Sequence, residues 1–218
     1  MSRIGAAATG VRSSASPKIR SSEMGSLQRY AGVSFCFLAA QFMTMIMVTA
    51  SMAPGYDLSG GAISDLGVHP VTAPLFNTSL VVTGLLNALG GVLLYRINGR
   101  ILPLTLYALA GAGVVGAGLV TLEAPGIHGL FALAAFLFFN LQIIPEVIRL
   151  RGAIGTIGGT LAAIGLAYVV IMAAGDAGNP SVFGAIGHGG AERMIVYPPM
   201  LWLMIYGGFL LGRAEARI

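Results

Sequence analysis

The side chains best suited to chemistry gather in three polar stretches. Asp57, Ser64, Asp65 and His69 lie in the first, Glu123 and His128 in the second, and Asp176, His188, Glu192 and Arg193 in the third. Together these hold five of the eight acids and all three histidines, beside a single arginine. Asp65, His128 and Glu192 are the candidate catalytic groups, because each can take or give a proton. Ser64, Glu123 and Arg193 are candidate substrate contacts, Arg193 being suited to an anionic group such as a lipid phosphate.

Each of these residues also has a plainer reading. Ser64 and Asp65 can cap a helix start by accepting bonds from free N–H groups. His128 can bond an outer-loop carbonyl. Arg193 can form a salt bridge to Asp65 or Glu123. Asp65, Glu123, His128, His188 and Glu192 form a donor set compatible with zinc. Their spacing is loose, so no metal ligand is assigned and the cofactor stays open. Familiar motifs are absent: there is no His-Glu-x-x-His, no Gly-x-Ser-x-Gly and no Walker loop.

The elements that position these groups are apolar. The chain of 218 residues is 56% hydrophobic and 9% charged, where a soluble domain carries about 25% charged residues. Six apolar segments are expected at 29–52, 73–95, 101–121, 128–147, 153–174 and 193–212. Each reaches about 20 residues, enough to cross a hydrocarbon core. The fold class is therefore all-α, a polytopic bundle of six transmembrane helices.

Basic residues orient the bundle. Eleven of the twelve precede the first segment, follow the last, or lie in the joints 96–100 and 149–151. That side is expected to be cytoplasmic, with both termini inside and the protein in the cell membrane. The formal net charge of +4 is thereby a matter of topology, and nucleic acid is not expected as a partner. Only Arg193 breaks the pattern. Residues 1–28 are expected to be a disordered basic cytoplasmic tail, with an organellar leader as the alternative. Residues 29–213 form the membrane domain. Cys36 is the sole cysteine and lies in an apolar run, so it supplies no internal disulfide.

Small residues at spacing four suggest close helix packing: Gly155, Gly159, Ala163 and Ala167 in the fifth segment, and Ala108, Ala112 and Gly116 in the third. Asn87, beside Thr83 and Gly91 at the same spacing in the second, is expected to bond a neighbouring helix. In the sixth, Pro198 and Pro199 leave the carbonyls of Met194 and Ile195 without helical donors, and a kink is expected there.

Three places carry a family resemblance. They are Gly55-Tyr56-Asp57 with Ile63-Ser64-Asp65-Leu66-Gly67 and then Phe76-Asn77; His128 with Ala132; and Gly190-Ala191-Glu192-Arg193. The chain resembles the bacterial and archaeal membrane proteins grouped as domain of unknown function 998. Where the family often has Pro-Leu, this chain has Leu58-Ser59. The resemblance implies a six-helix fold over about residues 30–212 and selects Ser64, Asp65, His128, Glu192 and Arg193. It implies no reaction.

Three functions stay open. One is an enzyme acting on a lipid or lipid-linked substrate from the outer face. Another is a small-solute or proton-coupled transporter, for which Asn87, Asn140 and Gln142 would continue the polar path inward. The last is a non-catalytic assembly subunit. Membrane lipids are the expected partners, with other membrane proteins or a second copy of the chain as further candidates.

Overall fold

The computed structural model describes residues 21–216. The helices are α1 (Ser21–Met52), α2 (Ala73–Asn98), α3 (Ile101–Leu119), α4 (Pro125–Leu141), the single turn α5 (Ile144–Val147), α6 (Ala153–Asp176) and α7 (Gly187–Glu215). Two 3₁₀ segments, Ile63–Gly67 and Pro180–Ile186, lie in the long connections. Six helical stretches are long and apolar enough to span a membrane: α1, α2, α3, α4 with α5, α6, and α7 with the 3₁₀ segment before it. The protein is a multi-pass membrane bundle. Helix α1 begins at Ser21, so residues 21–28 are helical and extend the first segment beyond its expected start at 29. Residues 1–20 of the expected tail lie outside the described residues.

Helix α1 packs on α2 and α7, α2 on α3, α3 on α4, and α6 on α7. Lipid tails are as apolar as leucine, so burial alone does not drive such contacts, and close approach of backbones matters more. Glycine makes that approach here. A Cβ on Gly84 would stand 2.5 Å from the Gly111 carbonyl oxygen, and one on Gly111 would stand 2.6 Å from that of Gly84. Gly32 of α1 and Gly207 of α7 are related in the same way, at 2.7 and 2.8 Å.

A ring cluster fills the middle of the bundle. Phe35 lies 5.3 Å from Tyr107 and 6.0 Å from Tyr206, and Trp202 lies 5.3 Å from Tyr206. Outside it, Phe37, Met47, Leu85, Leu133 and Val170 are exposed, as expected of side chains that meet lipid.

The small-residue face of α6 differs from the expected one. Gly155, Gly158, Ala162 and Gly165 are buried, while Ala163 and Ala167 are exposed. A strict spacing of four drifts about 40° per step around a helix with 3.6 residues per turn. Alternating steps of three and four hold one face. Gly158 makes room for Trp202, and Gly165 for Asn140. In α3, likewise, Ala108 and Ala112 face outward while Gly111, Gly113 and Gly116 are buried.

Helix α7 remains helical through Pro198 and Pro199. The Ile195 carbonyl accepts from Asn140 Nδ2 at 3.1 Å, which answers one of the two carbonyls left without a helical donor. Asn87 meets its expectation as well. It donates to the Tyr107 carbonyl at 3.0 Å and to Gln142 Oε1 at 3.0 Å, and Gln142 donates back at 3.2 Å.

Candidate functional site

The connection after α1 folds into a compact polar loop. Asp57 begins it by accepting from the Ser59 hydroxyl at 2.7 Å, the Ser59 N–H at 3.0 Å and the Gly60 N–H at 2.8 Å. These bonds favour the carboxylate and hold the Asp57 pKa below its ordinary value, the Ser59 hydroxyl contributing most. Further along, Asp65 Oδ2 accepts from the Ala62 N–H at 2.9 Å. That bond starts the 3₁₀ turn Ile63–Gly67, so Asp65 fills the capping role. Thr72 and Asn77 then fix the end of the turn by donating to the Leu66 and Gly67 carbonyls at 2.8 and 2.9 Å.

The first turns of α7 receive this loop. Side chains of neighbouring helical residues point about 100° apart, and Glu192 and Arg193 serve different partners. Glu192 is buried. Its Oε2 accepts from the Ile63 N–H, and its Oε1 from the Ser64 hydroxyl at 3.3 Å. Arg193 Nη1 donates to the carbonyls of Leu58 at 2.9 Å, Gly61 at 3.4 Å and Gly189 at 2.7 Å. Its Nη2 donates to the Tyr56 hydroxyl at 2.7 Å. Tyr56 in turn donates to the Ala62 carbonyl at 2.8 Å. Burial raises the Tyr56 pKa, and the hydrogen bond from Arg193 opposes that rise. The salt bridge from Arg193 to Asp65 or Glu123 is not formed. Backbone carbonyls and the Tyr56 hydroxyl take the guanidinium instead.

Below this lid lies a cavity of about 60 Å³ between α1, α2, α3, α4 and α7, room for a few waters by this measure. Its wall is mostly hydrocarbon, with Phe42, Phe76, Phe136 and Phe139 prominent, and three chemistry-bearing side chains reach it: Ser64, His128 and Glu192. His128 is 5% exposed. Its Nδ1 lies 2.7 Å from the Val120 carbonyl oxygen. A carbonyl only accepts, so Nδ1 carries the hydrogen and a neutral ring leaves its lone pair on Nε2. Nε2 is buried and has no hydrogen-bond partner.

The structure thus brings Ser64, His128 and Glu192 to one cavity, with Asp65 and Arg193 shaping the loop above. Glu123 does not join them: it is exposed in the turn before α4. His188 pairs with Asp176 at 3.3 Å, and His69 Nδ1 accepts from the Val71 N–H at 3.3 Å. Among the described residues no three histidine, cysteine or acidic side chains are grouped to hold a metal ion. The zinc-compatible set is therefore not assembled.

Sequence reasoning passed over a second polar cluster. Glu146 is 2% exposed, accepts from the Tyr206 hydroxyl at 2.9 Å and lies 3.5 Å from Arg100. The signal was present, since Glu146 is an acid inside an apolar run, where a charge is costly unless partnered.

The family model described as "Protein of unknown function (DUF998)" matches residues 36–208, from the middle of α1 to about two turns before the end of α7. The chain belongs to the DUF998 family. The match takes in the loop and every residue that lines the cavity. Neither curated proteins nor solved structures give a match to this DUF998 protein.

Proposed function

We propose that this protein acts on a lipid or lipid-linked substrate at the membrane face opposite its arginine-rich end, with His128 as the general base. One observation carries the reading: a buried imidazole whose Nδ1 is committed to a carbonyl presents an unpartnered Nε2 beside an apolar cavity. A water or substrate hydroxyl in the cavity gives its proton to Nε2 as its oxygen attacks an ester or phosphoester centre, and the proton returns to the leaving oxygen. Glu192 and Ser64 orient the attacking group. The phenylalanine wall meets the first carbons of the adjoining apolar chain, as many as a cavity of about 60 Å³ admits. Asp65 and Arg193 act by positioning the loop, and Glu123 lies too far out to share the cavity's chemistry.

Orientation follows from the arginines. The positive-inside rule places 96–100, 148–152 and both termini in the cytoplasm, and the loop 53–72 outside the cell membrane. A cysteine at Gly60 in a Cys36→Ser background should react with an impermeant thiol reagent in intact cells, and one at Gly99 should not. The reverse labelling would overturn the orientation.

A transporter reading has one observation in its favour. Thr83 and Asn87, then Gln142 and Glu146, are one helical turn apart in pairs, and all four are buried. Asn87 and Gln142 are bonded to each other, so the run suits helix locking better than conduction. Solute or proton flux abolished by Asn87→Leu, in a protein that still folds, would favour transport. The assembly reading rests on the outward Ala163 and Ala167 of α6. A change of oligomeric state in Ala163→Leu would favour it.

A further inference from the structure

At the arginine-rich end, a second cavity of about 370 Å³ opens between the start of α1, the ends of α2 and α7, and α5. Its wall differs from that of the first. Arg149 and Arg213 stand there beside Glu146, Gln28 and Tyr206, with Leu94 and Phe209 among its apolar residues.

We propose that this cavity binds a zwitterionic phosphate head group, a phosphate carrying a primary ammonium two carbons away. Two sets of side chains point to it. Arg149 and Arg213 are exposed, and neither forms an ion pair among the described residues. The Arg213 guanidinium lies over the Phe209 ring, 5.4 Å from its centre, which leaves its N–H edges open to an anion. These two guanidiniums take the phosphate.

Deeper in the wall the demand is opposite. Gln28 is 6% exposed and Glu146 2% exposed. Among the described residues Gln28 Oε1 lacks a hydrogen-bond donor, and Glu146 Oε1 has no hydrogen bond beyond its 3.5 Å ion pair with Arg100. A buried acceptor without a donor is costly, and an ammonium supplies three N–H groups at once. A purely anionic head group would satisfy the arginines but bring negative charge towards Glu146. A choline head group would carry the positive charge with no N–H to donate. The ethanolamine class meets both demands, and the apolar wall at Leu94 and Phe209 suits the chains that follow it. The head group can come from a phospholipid or from a soluble aminophosphate.

The test is native mass spectrometry of the full-length protein released from nanodiscs. These contain phosphatidylcholine mixed in equal parts with either phosphatidylethanolamine or phosphatidylglycerol. Phosphatidylethanolamine should be retained over either competitor by about tenfold. Arg149→Gln with Arg213→Gln, both at exposed positions, should erase that preference, and Arg96→Gln should leave it intact. Soluble phosphoethanolamine that competes the lipid off would support the same site with a soluble source. Equal retention of phosphatidylethanolamine and phosphatidylglycerol, or an unchanged preference in the double variant, would overturn the proposal.

Discussion

Asn140 donates its side-chain amide to the carbonyl of Ile195, the carbonyl that Pro199 leaves without a helical donor. One helix thereby completes the hydrogen bonding of another across the apolar interior. The same amide also donates to the Phe136 carbonyl at 2.8 Å. Asn140→Leu should cost about 1–3 kcal/mol by stranding a buried acceptor. Pro199→Ala restores an N–H opposite Ile195, so Asn140→Leu should cost less in that background. A double-mutant cycle on unfolding in detergent measures the difference, and additive effects would show that the carbonyl had another partner.

Arg193 ties the loop after α1 to α7 through three acceptors, the Leu58 and Gly61 carbonyls and the Tyr56 hydroxyl. A lysine carries a point charge and cannot span them as the fork does. Arg193→Lys should therefore loosen residues 56–61 with the helices intact. Hydrogen exchange checks this: the Gly61 amide, bonded to the Asp57 carbonyl at 2.7 Å, should lose about tenfold or more of its protection. Unchanged protection would mean that the loop holds itself.

The Asp57 turn gives a dependence on pH. Its folded pKa is lowered by the bonds from Ser59 and Gly60, so the unfolded chain binds the proton more readily. The stabilisation is complete above the unfolded carboxylate pKa and is lost as pH falls through the lower folded value. Order at Ser59 and Gly60 should thus persist at neutral pH and fail in acid. Asp57→Asn should flatten the profile. Amide resonances of those two residues, followed from neutral to acid pH, would show it.

The His128 ring should be held as the Nδ1–H tautomer by the Val120 carbonyl. Nitrogen NMR of the imidazole, assigned by comparison with His128→Gln, distinguishes the two ring nitrogens. A protonated Nε2 in the neutral ring would remove the general base from the account.

The helices and their number were legible because a membrane span needs a long apolar run, which composition alone reveals. The bond to Ile195 was half legible: proline announces a free carbonyl but not the donor that reaches it. The α6 packing face departs from a fixed spacing of four, because the buried set Gly155, Gly158, Ala162 and Gly165 follows the 3.6 period. Arg193 was placed opposite acids because side chains are what a sequence displays. Its actual acceptors are mostly carbonyls, and a loop's carbonyls carry no sequence signature. His128, Glu192 and Ser64 were legible as polar groups near one face. Their meeting in one cavity depends on the fold of 53–67, which no periodicity encodes.

The cavity beside His128 should receive an amphiphilic ligand. Ala132 lines that cavity and not the arginine-rich one, so Ala132→Phe puts a ring into the first alone. Native mass spectrometry of the detergent-purified protein, carrying Arg149→Gln and Arg213→Gln throughout so that the arginine-rich cavity holds no lipid, compares this parent with the same chain bearing Ala132→Phe or His128→Gln. A lipid-type ligand should be retained in the parent, absent with Ala132→Phe and weakened with His128→Gln. The same bound species, at the same occupancy, in all three would contradict it.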